Sequence, residues 1–89
     1  MIIEVKQKHI AQGDYTTRAC PVALALRDTL KNCDYISVEH DEIMVTLSGR
    51  TYAVGTPRSV ERFVGKYDAD VRNRSKVKPF RFKLNLPKP

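Results

Sequence analysis

Hydrophobic and polar residues alternate with the period of two that β-strands show along five stretches of the chain, residues 2–6, 36–40, 43–47, 52–54 and 80–86. Ser48-Gly49 is a two-residue turn of the kind that joins hairpin strands. Prolines on both sides of the last stretch suit an edge strand. Alternation with tight turns predicts an antiparallel sheet that has one solvated face.

A helical period replaces the alternation over residues 21–31. Pro21 suits the first turn of a helix, where its missing N–H costs nothing. The apolar stripe of this helix consists of Val22, Ala23, Leu26 and Leu30. Leu24 lies on the other side, so this end is either buried from two directions or contacts another chain. Residues 7–19 show no period, and we expect them to be irregular.

A second helix is expected to open at Thr56-Pro57, where a capping residue precedes a proline. Its apolar positions follow the i, i+3, i+4, i+7 spacing at Val60, Phe63, Val64 and Tyr67. Residues 68–78 are polar, basic and without period, so we expect a basic loop that is flexible or partly disordered.

The resulting order β-α-β-β-β-α-β predicts a single α+β domain over residues 1–89. We expect a small four- to five-stranded, mainly antiparallel sheet with two helices on one face. In this arrangement Phe80 and Phe82 would pack under Phe63 and Tyr67, and every apolar stripe would be buried.

The composition indicates a globular chain without a membrane segment. Hydrophobic residues make up 42% of the 89 residues, which is enough for a small core. No run approaches the roughly 18 apolar residues of a membrane span. The N-terminus lacks a charged start followed by an apolar block, so we expect no signal peptide and a cytoplasmic protein.

The surplus of positive charge is confined to the C-terminal third of the chain. Residues 57–89 contain ten Lys/Arg and three Asp/Glu, a net +7, whereas residues 1–56 contain six and seven, a net −1. Clustered charges add their fields, so this asymmetry indicates an anionic partner on one side of the fold.

The basic residues would form one surface if the last strand lies near the second helix. The candidate binding residues are Arg58, Arg62 and Lys66 on the helix, Arg72, Arg74, Lys76 and Lys78 in the loop, and Arg81 and Lys83 on the strand. Neutralising about six phosphates would give a salt slope of roughly −5. The alternative is plain solvation, because helices ordinarily have charged outer faces and lysines on an edge strand deter aggregation.

Catalytic and metal-binding signatures are weak. His9, Cys20, Cys33 and His40 are the ligand-capable residues, and none has the short spacing of a zinc site. The two cysteines are expected to be reduced, since a straight helix between them would keep them beyond disulfide reach. Cys20 lies at a helix start that would favour a thiolate, but a packed thiol is the alternative. We predict no catalytic residue, no metal and no cofactor.

Three motifs suggest a family context, and they are Lys8-His9-Ile10 with Gly13, Cys20-Pro21-Val22-Ala23-Leu24-Ala25-Leu26, and Val77-Lys78-Pro79-Phe80-Arg81-Phe82. With the overall layout, they resemble those of short, uncharacterised bacteriophage accessory proteins. The resemblance implies a small protein made inside an infected bacterium, in the host cell cytoplasm. It carries over no functional residues.

Two functional hypotheses follow from the sequence. The first is a non-catalytic binding protein whose basic C-terminal surface contacts nucleic acid or a nucleoprotein complex. The second is an inhibitor or adaptor that binds an acidic patch on a host protein, such as a defence protein, with Leu24 or the Tyr15 loop as an apolar anchor. We expect no membrane partner, and either a monomer or a homodimer formed through the first helix. An enzyme is the third and least supported reading.

Overall fold

Five strands and three helices are present in the computed structural model, which describes residues 1–14, 16–69 and 77–86. Their order is β1 (Ile2–Val5), α1 (Gln7–Gln12), α2 (Pro21–Thr29), β2 (Cys33–Val38), β3 (Glu42–Leu47), β4 (Arg50–Gly55), α3 (Arg58–Ala69) and β5 (Phe80–Lys83). The α+β class is confirmed, and α1 is added to the predicted order.

The strands divide between two antiparallel sheets, where the sequence predicts one. β2, β3 and β4 form a meander, and β1 pairs with β5 across the ends of the chain. Ser48 and Gly49 both have positive φ, at 49° and 83°, which is the I′ turn that joins β3 to β4. Helix α2 packs against both β1 and β2, so the two sheets share a core without sharing a hydrogen-bond ladder.

A single hydrophobic cluster joins the two sheets to α2 and α3. It contains Ile3 and Val5 of β1, Ile36 of β2, Val45 of β3, Val22 and Leu26 of α2, and Val60 and Phe63 of α3. The predicted apolar stripes of both longer helices therefore face this core, and Leu24 on the other side of α2 is half-buried. The close packing of these side chains provides the main stabilising contribution to so small a fold.

The six-residue helix α1 lies in a segment that the sequence predicts as irregular. Only His9 and Ile10 of this helix are buried, so it lacks the apolar stripe that would reveal it. Its first turn is closed by its own side chain, because the backbone N–H of Lys6 donates to Nδ1 of His9 at 2.8 Å. The start of α1 is therefore stabilised by a hydrogen bond to the buried His9 side chain, a contact that hydrophobic periodicity does not reveal.

The start of α3 differs from the predicted cap. The Thr56 hydroxyl donates to the carbonyl of Glu39 at 2.9 Å, and it therefore ties the β2–β3 turn to the helix instead of capping it. The carbonyl of Pro57 accepts the first helical bonds, from Val60 and Glu61 at 3.0 Å each. At its other end α3 continues to Ala69, so the first two residues of the predicted loop 68–78 are helical.

Gly13 lies where α1, α2 and α3 meet. A Cβ atom on this residue would lie 2.7 Å from Cδ of Pro21, closer than real Cβ contacts occur. The Tyr67 hydroxyl donates to the Gly13 carbonyl at 2.7 Å, and Tyr67 itself is 1% exposed. Because Gly13 has no side chain, Pro21 at the start of α2 can pack directly against it. The same residue is bound to α3 through the Tyr67 hydroxyl.

In the described ranges of the chain, none of the helices has both the length and the apolar character needed to cross a membrane.

The Gly13→Ala substitution is expected to lower the free energy of unfolding by about 1–3 kcal/mol, because the added methyl must displace the Pro21 ring. The matched control is Gly65→Ala inside α3, where an added Cβ meets no atom within 4 Å. This control should stabilise the protein by about 0.5–1 kcal/mol, since alanine is the better helix former. Urea denaturation measures both, and equal effects of the two substitutions would contradict the close approach.

Candidate functional site

A groove of about 510 Å³ separates α3 from the segment that leads into β5. Four residues of α3 line one side, Ser59, Arg62, Phe63 and Lys66. They have the i, i+3, i+4 and i+7 spacing, so they form one stripe along the helix. This stripe lies next to the buried one, and it combines two cations with the edge of the hydrophobic core.

The opposite side of the groove is formed by four consecutive residues, Val77, Lys78, Pro79 and Phe80. Val77 is buried, Phe80 is half-buried, and Lys78 and Pro79 are exposed. Proline has a fixed φ and no N–H, which makes this wall stiffer than an ordinary loop. Lys78 thus faces the same groove as the two cations of α3.

Aromatic contacts set the distance between the two sides. The rings of Phe63 and Phe80 lie 4.7 Å apart between centroids, and Phe80 lies 5.9 Å from Phe82. Phe63 also stacks on Tyr67 at 6.1 Å. These separations are in the range of favourable aromatic pairs. The predicted packing of Phe80 on Phe63 is therefore confirmed, while Phe82 contacts Phe80 and Tyr67 contacts Phe63.

The electrostatic character of the groove is uniformly positive. Arg62, Lys66 and Lys78 are exposed, and no described Asp or Glu lies in the lining. Among the described residues, none of these three cations has a carboxylate within 4.0 Å, whereas Lys8 and Arg81 each have one. The three cations line the same groove, so their fields add there.

The remaining predicted basic residues are distributed differently. Arg58 is exposed at the first position of α3, outside the groove lining. Arg81 and Lys83 project from the face of the β1–β5 sheet opposite Phe82, because successive strand residues point to opposite faces. Arg81 lies 3.9 Å from Glu4 across the ladder. Three predicted positions, Arg72, Arg74 and Lys76, lie outside the described residues.

The described part of the chain thus brings together Arg62, Lys66 and Lys78, and it places Arg81 and Lys83 on a separate face. Sequence reasoning identified these five residues, but it did not identify Ser59, Val77 and Pro79 as their neighbours. The signal for Ser59 was available in its helical spacing to Arg62 and Lys66. No such signal exists in the sequence for Val77 and Pro79, because no periodicity links them to α3.

Cys20 and His40 both line a small pocket of about 240 Å³, whereas neither Cys33 nor His9 is part of its lining. Neither cysteine is in a disulfide; Cys20 is buried as the N-cap residue of α2, and Cys33 is half-buried with its thiol 3.4 Å from the Tyr35 carbonyl. His40 is exposed and lies 3.6 Å from Glu61. Across residues 1–14, 16–69 and 77–86, no three His, Cys, Asp or Glu side chains are grouped so as to hold a metal ion.

His9 is buried and has both ring nitrogens in hydrogen bonds. Because Nδ1 accepts from the Lys6 N–H, Nε2 carries the proton and donates to Oδ2 of Asp28 at 2.7 Å. Lys8 lies 3.2 Å from the same carboxylate oxygen. The hydrogen bond from His9, and then that from Lys8, lowers the pKa of Asp28. This arrangement joins α1 to α2, and it leaves His9 with no nitrogen to act as a base toward Cys20.

Comparison of the chain with family models, with curated proteins and with solved structures gives no match. The functional interpretation therefore depends on the groove and on its charges.

The contact between His9 and Asp28 predicts that the free energy of unfolding decreases at acid pH. The pKa of Asp28 is lowered in the folded state. The ionised carboxylate therefore contributes fully to the free energy of unfolding above the unfolded-state pKa of about 3.9, and this contribution decreases as the pH falls below that value. We expect Asp28→Asn to lower the unfolding free energy at pH 7 and to weaken its dependence on pH below 4. Chemical denaturation at several pH values measures this effect.

The matched control for this prediction is Asp41→Asn, which removes the same charge at an exposed hairpin tip. Its profile should follow that of the wild type. Identical pH profiles for Asp28→Asn and the wild type would show that the Asp28 carboxylate does not stabilise the fold.

Proposed function

We propose that this chain is a non-catalytic binding protein whose basic C-terminal region contacts nucleic acid or a nucleoprotein complex. The observation that supports this proposal is the groove with three cations and no described carboxylate in its lining. Phosphate groups are the ligands that such cations bind most readily, arginine bidentately and lysine as a point charge.

The spacing of the helix cations favours a ligand over plain solvation. Arg58, Arg62 and Lys66 follow one another at intervals of four residues on α3. Like charges at i and i+4 destabilise a helix by about 0.2–0.5 kcal/mol per pair. Among the residues whose side chains the structure describes, Arg62 and Lys66 have no carboxylate within 4.0 Å that would offset this repulsion. A bound polyanion would offset it.

Each basic residue has a proposed role that follows from its type and place. Phosphates would be contacted by the arginines Arg58, Arg62, Arg72 and Arg74. The other basic residues would contribute to the field and to the association rate, and they are Lys66, Lys76, Lys78, Arg81 and Lys83. In this proposal the protein is a phage accessory protein that acts in the cytoplasm of the infected host cell.

A second candidate function is an inhibitor or adaptor that binds an acidic patch on a host protein. The observation that favours it is an apolar pair beside the outward cations of β5. Met1 and Ile2 are 54% and 55% exposed, and Ile2 lies opposite Lys83 in the β1–β5 ladder. An apolar anchor with a charged rim is typical of protein interfaces.

The test of the first function is the double substitution Arg62→Ala plus Lys66→Ala. Alanine preserves the helix, so the change removes two groove charges and little else. We expect weaker binding by a similar factor for several DNA and RNA oligomers, and a salt slope smaller in magnitude by about 2. Fluorescence anisotropy at several salt concentrations measures both quantities.

The matched control is Lys31→Ala plus Arg50→Ala, two exposed cations outside the groove lining. It lowers the net charge equally, and it should leave most of the affinity intact. An affinity that does not change with salt concentration would refute the groove as the binding site. Equal losses of affinity in the two double variants would do so as well. A host protein retained in a pull-down after nuclease treatment would favour the second function.

A further inference from the structure

The floor of the groove is apolar and partly aromatic. Phe63 is 7% exposed, Phe80 is half-buried, and Val77 and Pro79 complete the floor and wall. A surface that only neutralised phosphates would need exposed cations, and it would gain nothing from an apolar concavity among them. The groove therefore has two chemical parts, a basic rim and a hydrophobic floor with aromatic rings.

The rim has cations on both sides of this floor. Arg62 and Lys66 belong to α3, and Lys78 belongs to the segment before β5. A nucleic-acid strand that crosses the groove could place phosphates on both sides and one base between them. The volume of about 510 Å³ lies within the range of sites that take small organic molecules of about the size of a nucleotide.

We infer that the groove takes an unpaired base, so that the protein prefers single-stranded nucleic acid to a duplex. This inference rests on the proposed function and specifies its ligand. Bases in a duplex are stacked and paired, and their faces are not available to an apolar groove. Unstacked bases can enter such a groove and contact aromatic side chains, while basic residues follow the backbone.

The charge and the aromatic content together select this ligand over an acidic peptide. A peptide with carboxylates could also pair with the three cations, but the half-buried ring of Phe80, which is supported from below by the buried Phe63, adds affinity for a planar ring. Stacking on aromatic side chains depends little on base identity, because every base has a π-face. The inference is therefore a preference for single strands with weak preference for sequence.

The test compares fluorescein-labelled oligo(dT) of about 12 nucleotides with the same strand annealed to oligo(dA). Fluorescence anisotropy measures the affinities of the wild type and of Phe80→Leu, a change that keeps an apolar side chain but removes the ring. We expect the wild type to bind the single strand at least about fivefold more tightly than the duplex. Phe80→Leu should remove most of this preference and leave duplex affinity within about twofold.

The control variant is Arg62→Ala plus Lys66→Ala, which should weaken both single-strand and duplex binding. Circular dichroism and thermal unfolding establish that each variant is folded. If Phe80→Leu does not fold, the wild type is cross-linked by ultraviolet light to oligo(dT) that carries one 5-iodouracil. Mass spectrometry should then locate the adduct at Phe80, Phe63 or Pro79.

The outcomes separate this inference from the proposed function. Equal affinity for single strand and duplex, with both lost in the double variant, would overturn the inference and support the function. An adduct confined to the outward face of β5, at Arg81 or Lys83, would do the same. Absence of binding to either probe would overturn both. Displacement of oligo(dT) by poly-glutamate at equal charge concentration would show that the groove recognises charge alone.

Discussion

The contact between Phe63 and Phe80 is the interaction on which the groove depends. It joins α3 to the strand at the other end of the basic segment, with ring centroids 4.7 Å apart. Because Phe63 belongs to the shared core, the contact fixes the Phe80 side of the groove to the close-packed core. The backbone positions that carry the cations are thereby held on the two sides of the groove, and this reduces the ordering cost of binding.

Strand geometry divides the positive charge of the C-terminal region. The pairing of β5 with β1 buries Phe82, so Arg81 and Lys83 must point away from the core. Lys78 precedes the strand, so the alternation of β5 does not determine its direction. It lines the groove opposite Arg62 and Lys66 of α3. A region that is uniformly basic in sequence becomes a basic groove and a separate outward face that also exposes Met1 and Ile2.

Buried polar contacts hold the first half of the chain in place. His9 donates to Asp28 and so joins α1 to α2, and the Tyr67 hydroxyl donates to the Gly13 carbonyl and so joins α3 to the same region. The first contact is made by α1 itself, which buries only two residues, and the second by Gly13, which ends α1. Breaking these contacts is costly because His9 and Tyr67 are buried, and a buried polar group that loses its partner is not rehydrated. They position α1 together with the packing of Ile10 in the hydrophobic core.

Local patterns in the sequence determined the strands, the two longer helices, the Ser48-Gly49 turn and the concentration of charge after Pro57. Each of these depends on residues close in sequence, through side-chain period, turn conformation or composition. Only the tertiary structure decided that β1 pairs with β5, that the strands form two sheets, and that Arg62, Lys66 and Lys78 share a groove with Pro79. The reason is physical: alternation specifies which face of a strand is buried but not which strand lies beside it, and helix α1 is held by His9 through a contact that no period records.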